Sequence, residues 1–199
     1  MDIHYGDILL RDMLEADIED WVRWNTIDTE WMDWDGPDLE CDPFDEAQFR
    51  EDCIGQIRNP NKGVRRCFEL CTADGTHLGM VSSYPTDEHF EQLPWSRAQN
   101  LEIFYHTLGI IICEGCNWNK GIGTQALTAF CKYYLDHGIT RLRLQTWSGN
   151  VRMVRCAQRI GFVECNRFVG NRHIRGEIYD GLTFQLDLDR FYKYLEENS

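Results

Sequence analysis

The stretch Leu108-Gly-Ile-Ile-Ile-Cys-Glu-Gly-Cys-Asn-Trp-Asn-Lys-Gly-Ile-Gly-Thr-Gln-Ala-Leu127 decides how the rest of the chain is read. It opens with a β-branched apolar run, the pattern of a buried strand. Two glycines follow close together, Gly121 and Gly123. Leu127, Phe130, Cys131 and Tyr134 then recur at the spacing of one apolar helix face. Strand, glycine turn and helix start together make a place for an anion. The first-turn amides of a helix have no internal acceptor, and the helix dipole adds partial positive charge there. Glycine lets the backbone come close to a diphosphate because no Cβ intervenes.

That signal is shared by several nucleotide binders. Gly121-Ile-Gly123-Thr-Gln-Ala126 fits a dinucleotide fingerprint with Ala at the third glycine position. Against an NAD reading, the motif lies past the middle of the chain, and the strand expected over residues 139–147 ends without an acidic residue for a ribose. A Walker-type loop is excluded, since Gly-Lys-Ser/Thr occurs nowhere.

The wider pattern is Trp118-Asn-Lys-Gly-Ile-Gly-Thr-Gln-Ala-Leu127, a strand, then Asn150 followed by Gly161-Phe162. It resembles the GNAT N-acetyltransferases, and within them the RimJ/RimL-like branch, whose members often carry Trp-x-Lys-Gly-x-Gly-Thr-Glu-Ala. The resemblance implies one GNAT-like domain over residues 1–199. Its fold would be α/β of the α+β mixed-sheet kind, a mostly antiparallel central sheet flanked by helices with one splayed strand pair. The cofactor implied is acetyl-CoA, a co-substrate. By the same resemblance Asn119, Lys120, Gly121, Ile122, Gly123 and Thr124 would hold its diphosphate. Ile110, Ile111 and Ile112 would give backbone contacts to the pantetheine arm, and Asn150 would bond near the thioester. The isoleucines are core in any reading, and Asn150 is also a good helix N-cap.

The activity implied is transfer of acetyl to a primary amine by direct attack, the amine belonging to a protein N-terminus, a polyamine, an antibiotic or a small metabolite. Ala157 stands where many GNAT enzymes have the tyrosine that protonates the departing thiolate. A non-catalytic acyl-CoA-binding sensor of the same fold is therefore the alternative. Glu102 and His106, just upstream of the central strand, are the candidate bases, and Tyr179 is a candidate acid. Each also reads as an ordinary strand-end residue.

Residues 28–40 are acidic and aromatic. Glu30, Trp31, Asp33 and Trp34 suit an amine-bearing substrate through ion pairing and cation–π contact. The other reading is a solvated loop whose tryptophans cap the core. The net charge of -13 disfavours nucleic acid and anionic membranes as partners and suits a cationic substrate. Monomer and homodimer both stay open.

The chain has 199 residues, one domain's worth, and its longest apolar run cannot span a bilayer. Its N-terminus has neither a basic start nor an apolar signal core, so a cytoplasmic location is expected. Nine cysteines then read as buried reduced thiols. Cys113-Glu-Gly-Cys116 has zinc or redox spacing, but Cys67-x-x-x-Cys71 is the wrong spacing for a knuckle, and no metal is expected.

Periodicity predicts strands over residues 7–11, 65–72, 77–84, 100–113, 139–147 and 177–188. It predicts helices over residues 13–24, with Leu14, Ile18, Trp21 and Val22 inward, then over 45–57, 124–137 and from Asn150, and a short closing helix to Glu196. Asp74-Gly75 marks one hairpin turn and Gly170-Asn171 a second. On the helix after Asn150, Arg152, Arg155 and Arg159 fall mostly on the polar face, where they could neutralise a nucleotide phosphate.

Overall fold

The computed structural model describes residues 1–38, 42–60 and 63–198. Leu39 and Glu40 of the acidic stretch, and Cys41, lie outside the described residues. In order the elements are β1 (Asp2–Tyr5), β2 (Ile8–Arg11), α1 (Asp17–Thr26), α2 (Glu46–Arg58), β3 (Cys67–Thr72) and β4 (His77–Thr86). There follow α3 (Trp95–Ala98), β5 (Tyr105–Ile112), α4 (Ile122–Asp136), β6 (Leu142–Trp147), α5 (Val151–Arg159), β7 (Phe162–Ile174), β8 (Glu177–Leu186) and α6 (Leu188–Glu197). Short 3-10 turns occupy Thr29–Asp33 and Gly115–Asn117. This is the mixed α/β architecture expected.

The chain forms two compact units, Met1–Val81 with Ile110–Ala129, and Ser82–Gly109 with Phe130–Ser199. In the first, strands follow the order β1-β2-β3-β4-β5. The hairpin β1–β2 is antiparallel, as is β2–β3. Cys113 N–H donates to Leu78 O at 2.9 Å, extending the bonding of β4 past the end of β5. Gly79, at φ +144°, permits this approach, since a Cβ there would lie 2.1 Å from the Ile111 carbonyl oxygen. The core of this unit gathers Trp21, Trp24 and Cys113, with Met13, Trp31, Phe49, Met80 and Ile111 packed against them.

In the second unit the order is β4-β5-β6-β8-β7. β5 and β6 run parallel, while β6–β8 and β7–β8 are antiparallel. Phe130, Cys131 and Tyr134 of α4 are fully buried there, as are Leu142, Leu144, Phe162, Phe184 and Phe191. Burying each such large apolar side chain contributes about 1.5–3 kcal/mol.

Three expectations need correction. α1 begins at Asp17, not at residue 13: the Asp17 carboxylate accepts from Leu14 N–H at 2.7 Å and from Arg11, so the chain turns before the helix starts. Leu14 is consequently 54% exposed, and Trp24 takes the inward place. The second hairpin turn is at Arg175-Gly176, both left-handed, while Gly170-Asn171 forms a bulge within β7. That bulge is stitched to β8 by Gly170 N–H to Asp180 and Gly181 N–H to the Asn171 side chain. The N-terminal strand Asp2–Tyr5 and the short helix Trp95–Ala98 were not expected. Among the described residues no helix is long and apolar enough to cross a membrane.

Candidate active site

In the first unit β5 hands the chain to a turn that several bonds shape. Trp118 Nε1–H donates to the Ile112 carbonyl at 2.7 Å, and Trp118 N–H donates to Gly115 O at 3.1 Å. Asn119 then adopts φ +60° and Gly121 φ +83°, so the backbone reverses twice through left-handed conformations. An added Cβ at Gly121 would meet nothing within 4 Å, so there is open space on that side of the backbone. α4 begins at the next residue, and its first closed turn is Gln125 N–H to Gly121 O at 3.0 Å. The amides of Ile122 and Gly123 precede that bond, where a helix supplies no acceptor. Asn119 and Lys120 are exposed, and residues 121–125 are half-buried.

The Gln125 side chain steadies this turn from behind. Its Oε1 accepts from Asp7 N–H at 2.7 Å, in the β1–β2 hairpin. Gly6 makes room for it at φ +55°, since a Cβ there would come within 2.3 Å of the same oxygen.

This geometry suits a diphosphate, and the sequence as a whole names the family. It matches the acetyltransferase (GNAT) domain over residues 7–163. The chain belongs to the GNAT acetyltransferases. No curated protein sequence matches it.

Among solved structures, this GNAT chain is similar to the RimL ribosomal L7/L12 alpha-N-protein acetyltransferase in complex with coenzyme A. The identity is 15% and the TM-score 0.68, over 93% of this chain and 97% of that one. It is also similar to spermidine N-acetyltransferase from Vibrio cholerae in complex with CoA and spermine, at 16% identity and TM-score 0.66, over 94% and 98%. A GNAT-family acetyltransferase from Bacillus anthracis gives 15% and 0.66, over 94% and 98%. At such identities the likeness is one of fold, and the fold is that of GNAT acetyltransferases.

Ile110, Ile111 and Ile112 are half-buried. The Ile112 carbonyl accepts from Trp118 Nε1–H, and the Ile111 carbonyl oxygen lies close to Gly79. The acidic, aromatic segment lies in the same unit. Trp31 is half-buried, donates from Nε1 to Trp24 O at 2.9 Å and packs edge-on to Trp21. Trp34 meets Trp118 edge to face at 6.3 Å between ring centroids. Glu30 and Asp33 are exposed, and the Glu30 carboxylate lies close over Gly115, where a Cβ would sit 2.9 Å from Oε2. Glu114 ties this region to α1, accepting from Arg23 at 3.0 Å and Trp24 Nε1 at 3.3 Å.

In the second unit the β5–β6 ladder pairs His106 with Leu142, Thr107 with Arg143 and Leu108 with Leu144. β6 continues along β8 as far as Trp147–Gly181. Of the candidate bases, Glu102 is exposed ahead of β5. His106 is buried among the rings of Trp95, Phe104 and Tyr134, 4.8–5.3 Å away by centroid. Tyr179 packs edge-on to Trp147 and donates its hydroxyl to Glu177, which raises its pKa above the ordinary value. Asn150 caps α5, its Oδ1 accepting from Met153 N–H at 3.2 Å. Ala157 is fully buried, and Arg155 and Arg159 are exposed. Cys113 is buried and its thiol pushed up by that burial, while Cys116 is exposed.

Sequence reasoning missed a buried ionic group in the first unit. Arg11 grips Asp17 with two bonds of 2.6 and 2.7 Å. His77 lies between Asp20 at 3.1 Å and Glu69 at 2.8 Å, and Trp21 Nε1 also donates to Glu69, at 2.9 Å. Strand alternation hid it, because Glu69 stands within a run of buried residues, Phe68 to Cys71.

Proposed function

We propose that this chain transfers the acetyl group of acetyl-CoA to a primary amine by direct attack, with the turn at residues 119–124 holding the cofactor's diphosphate. One observation carries the reading: Asn119 and Gly121, both left-handed, lead into the first turn of α4, with open space on the Cβ side of Gly121. Backbone N–H groups, helix dipole and the exposed Lys120 are the donor set that a diphosphate requires. Gly123, second in α4, keeps a Cβ out of the way.

Acetyl-CoA supplies an activated acyl carbon and a thiolate able to leave near neutral pH. The protein's part is to hold the two reactants in register, worth on the order of 7–11 kcal/mol. Backbone of residues 110–112 and the Asn150 side chain are the proposed contacts nearer the thioester. A base must take the proton of the ammonium, adding about 10²–10⁴-fold. Glu102 is exposed to solvent, whereas His106 is enclosed by rings, so we assign the base to Glu102 ahead of His106. Tyr179, already donating to Glu177, is the weaker candidate for the acid.

The acceptor class follows from chemistry shared by two neighbours, one acting on a ribosomal protein N-terminus and one on spermidine. Both acceptors are amines, and the charge of -13 favours a cationic one. Glu30 and Asp33, on an exposed turn, are proposed to attract it. The buried Ala157 favours a second reading, a sensor that binds acyl-CoA without turnover. Incubation with acetyl-CoA and an amine panel, following free thiol, separates the two. Thiol release with an amine supports transfer; CoA binding without release on any amine supports the sensor.

A further inference from the structure

The second unit carries a hydrogen-bonded device that none of the residues above explains. β4, β5, β6 and β8 place Tyr84, Gly109, Gln145 and Thr183 on one face of the sheet. Gln145 Nε2 donates to Phe90 O at 2.9 Å and to Thr183 Oγ1 at 3.3 Å. With its nitrogen committed to two acceptors, the carboxamide must turn its oxygen toward Tyr84. The Tyr84 hydroxyl therefore donates, to Gln145 Oε1 at 3.0 Å. A phenol whose only proton is spent offers lone pairs alone to anything else it meets.

The loop behind Gln145 is held in a strained form. Phe90 is left-handed at φ +70°, a conformation a bulky side chain rarely takes. That conformation presents Phe90 O to Gln145. Arg143, on the same face of β6, fixes the loop's other end, donating to Asp87 O at 2.7 Å and lying under the Phe90 ring. The Asp87 carboxylate accepts from the amides of His89 and Glu91, closing the loop.

The position of this device is telling. Leu108–Leu144 is the last pair of the β5–β6 ladder, so Gly109 and Gln145 are the first residues beyond it on their strands. A Cβ at Gly109 would meet only Ser82 Oγ within 4 Å, at 3.2 Å. Gly109 thus adds no side chain to this face where pairing stops, and Tyr84 and Gln145 beside it are half-buried.

We propose that Tyr84 contacts the acceptor amine, its oxygen receiving an amine N–H, and that Gln145 is a positioning residue that keeps the Tyr84 proton turned away. The assignment rests on the amine-acetylation reading above. The test uses the whole chain, with spermidine and a hexapeptide bearing N-terminal serine as amines, thiol release as rate, and acetyl-CoA affinity measured separately. Tyr84→Phe should lower kcat/KM for the amine at least about tenfold, with acetyl-CoA affinity within twofold. Gln145→Leu should lower it too, yet cost nothing further in the Tyr84→Phe background, because it acts only through Tyr84. Normal amine kinetics in Tyr84→Phe, or additive losses in the double variant, would overturn the proposal while leaving the transferase intact. Should Tyr84→Phe fail to fold, Gln145→Leu alone decides, by an amine KM that rises or does not. A wild type that binds acetyl-CoA and turns over neither amine, or binds none, removes the transferase reading and this one with it.

Discussion

Trp118 donates its indole N–H to the carbonyl of Ile112 at 2.7 Å, so the residue that opens the glycine turn is bonded to the last residue of the strand before it. The bond ties the strand end to the turn proposed to hold the diphosphate. Trp118→Phe keeps most of the apolar contact with Trp34 and loses the bond. It should weaken CoA binding by about three- to tenfold, at about 1 kcal/mol for one hydrogen bond. Calorimetric titration with CoA checks this, and unchanged affinity would show that the turn holds its shape without the tether.

Two glycines in the first unit should respond differently to alanine. At Gly121 the added methyl meets nothing, so only the left-handed backbone is penalised, about 1–2 kcal/mol. At Gly79 the methyl would lie 2.1 Å from the Ile111 carbonyl oxygen. That clash should cost about 3 kcal/mol or more in addition, near a 10 °C loss of melting temperature for a chain of this size. Equal melting temperatures for the two variants would contradict the close approach of β4 and β5.

The buried His77 gives a pH signature. Burial lowers its pKa, but the hydrogen bond to Glu69 and the charges of Glu69 and Asp17, with Asp20, outweigh it and raise the value above 6.5. A raised folded-state pKa stabilises fully below the ordinary value, and the contribution fades as pH climbs through the raised one. Asp17 behaves oppositely. Burial opposes its ionisation, yet Arg11, the Leu14 amide and His77 hold its pKa below 3.8, so its contribution is lost only as pH falls below that value. Melting temperature should be highest between about pH 4 and 6.5. His77→Leu should cost about 3 kcal/mol near pH 6, by leaving the buried Glu69 carboxylate without its cationic partner. The two proteins should converge as pH rises toward 9; a constant gap would show that His77 only fills space.

Glu102→Gln should slow turnover by about 10²-fold or more with acetyl-CoA affinity unchanged. A normal rate across the pH range would remove Glu102 as the base and pass the role to water or another side chain.

Much of this molecule was legible in the chain because local rules and tertiary demands agree there. The run at residues 108–112, the paired glycines and the apolar stripe of α4 each have one physical solution, and they are found together. Asn150 declared itself as a cap for the same reason. Legibility failed where long-range partners override the local pattern. The local pattern puts Leu14 on a helix face, but Asp17 is drawn to Arg11 and the helix starts only at Asp17. Gly170-Asn171 looked like a turn, yet Asp180 and Gly181 across the hairpin convert it to a bulge. Trp31 read equally as ligand contact or core; its bond to Trp24 O and contact with Trp21 show what it packs against. Tyr84 and Gln145 were silent, because a pair 61 residues apart leaves no periodic trace.

The central claim is that the backbone around Gly121 and Gly123 receives a diphosphate, and one titration tests it most directly. Gly123→Asp places a carboxylate in the first turn of α4, where an acidic residue favours the helix itself. The fold should therefore persist, with an unchanged melting temperature, while the new charge repels the ligand. CoA titrated into wild type should bind, and into Gly123→Asp should show no measurable binding. Equal affinity in the two proteins would contradict the account.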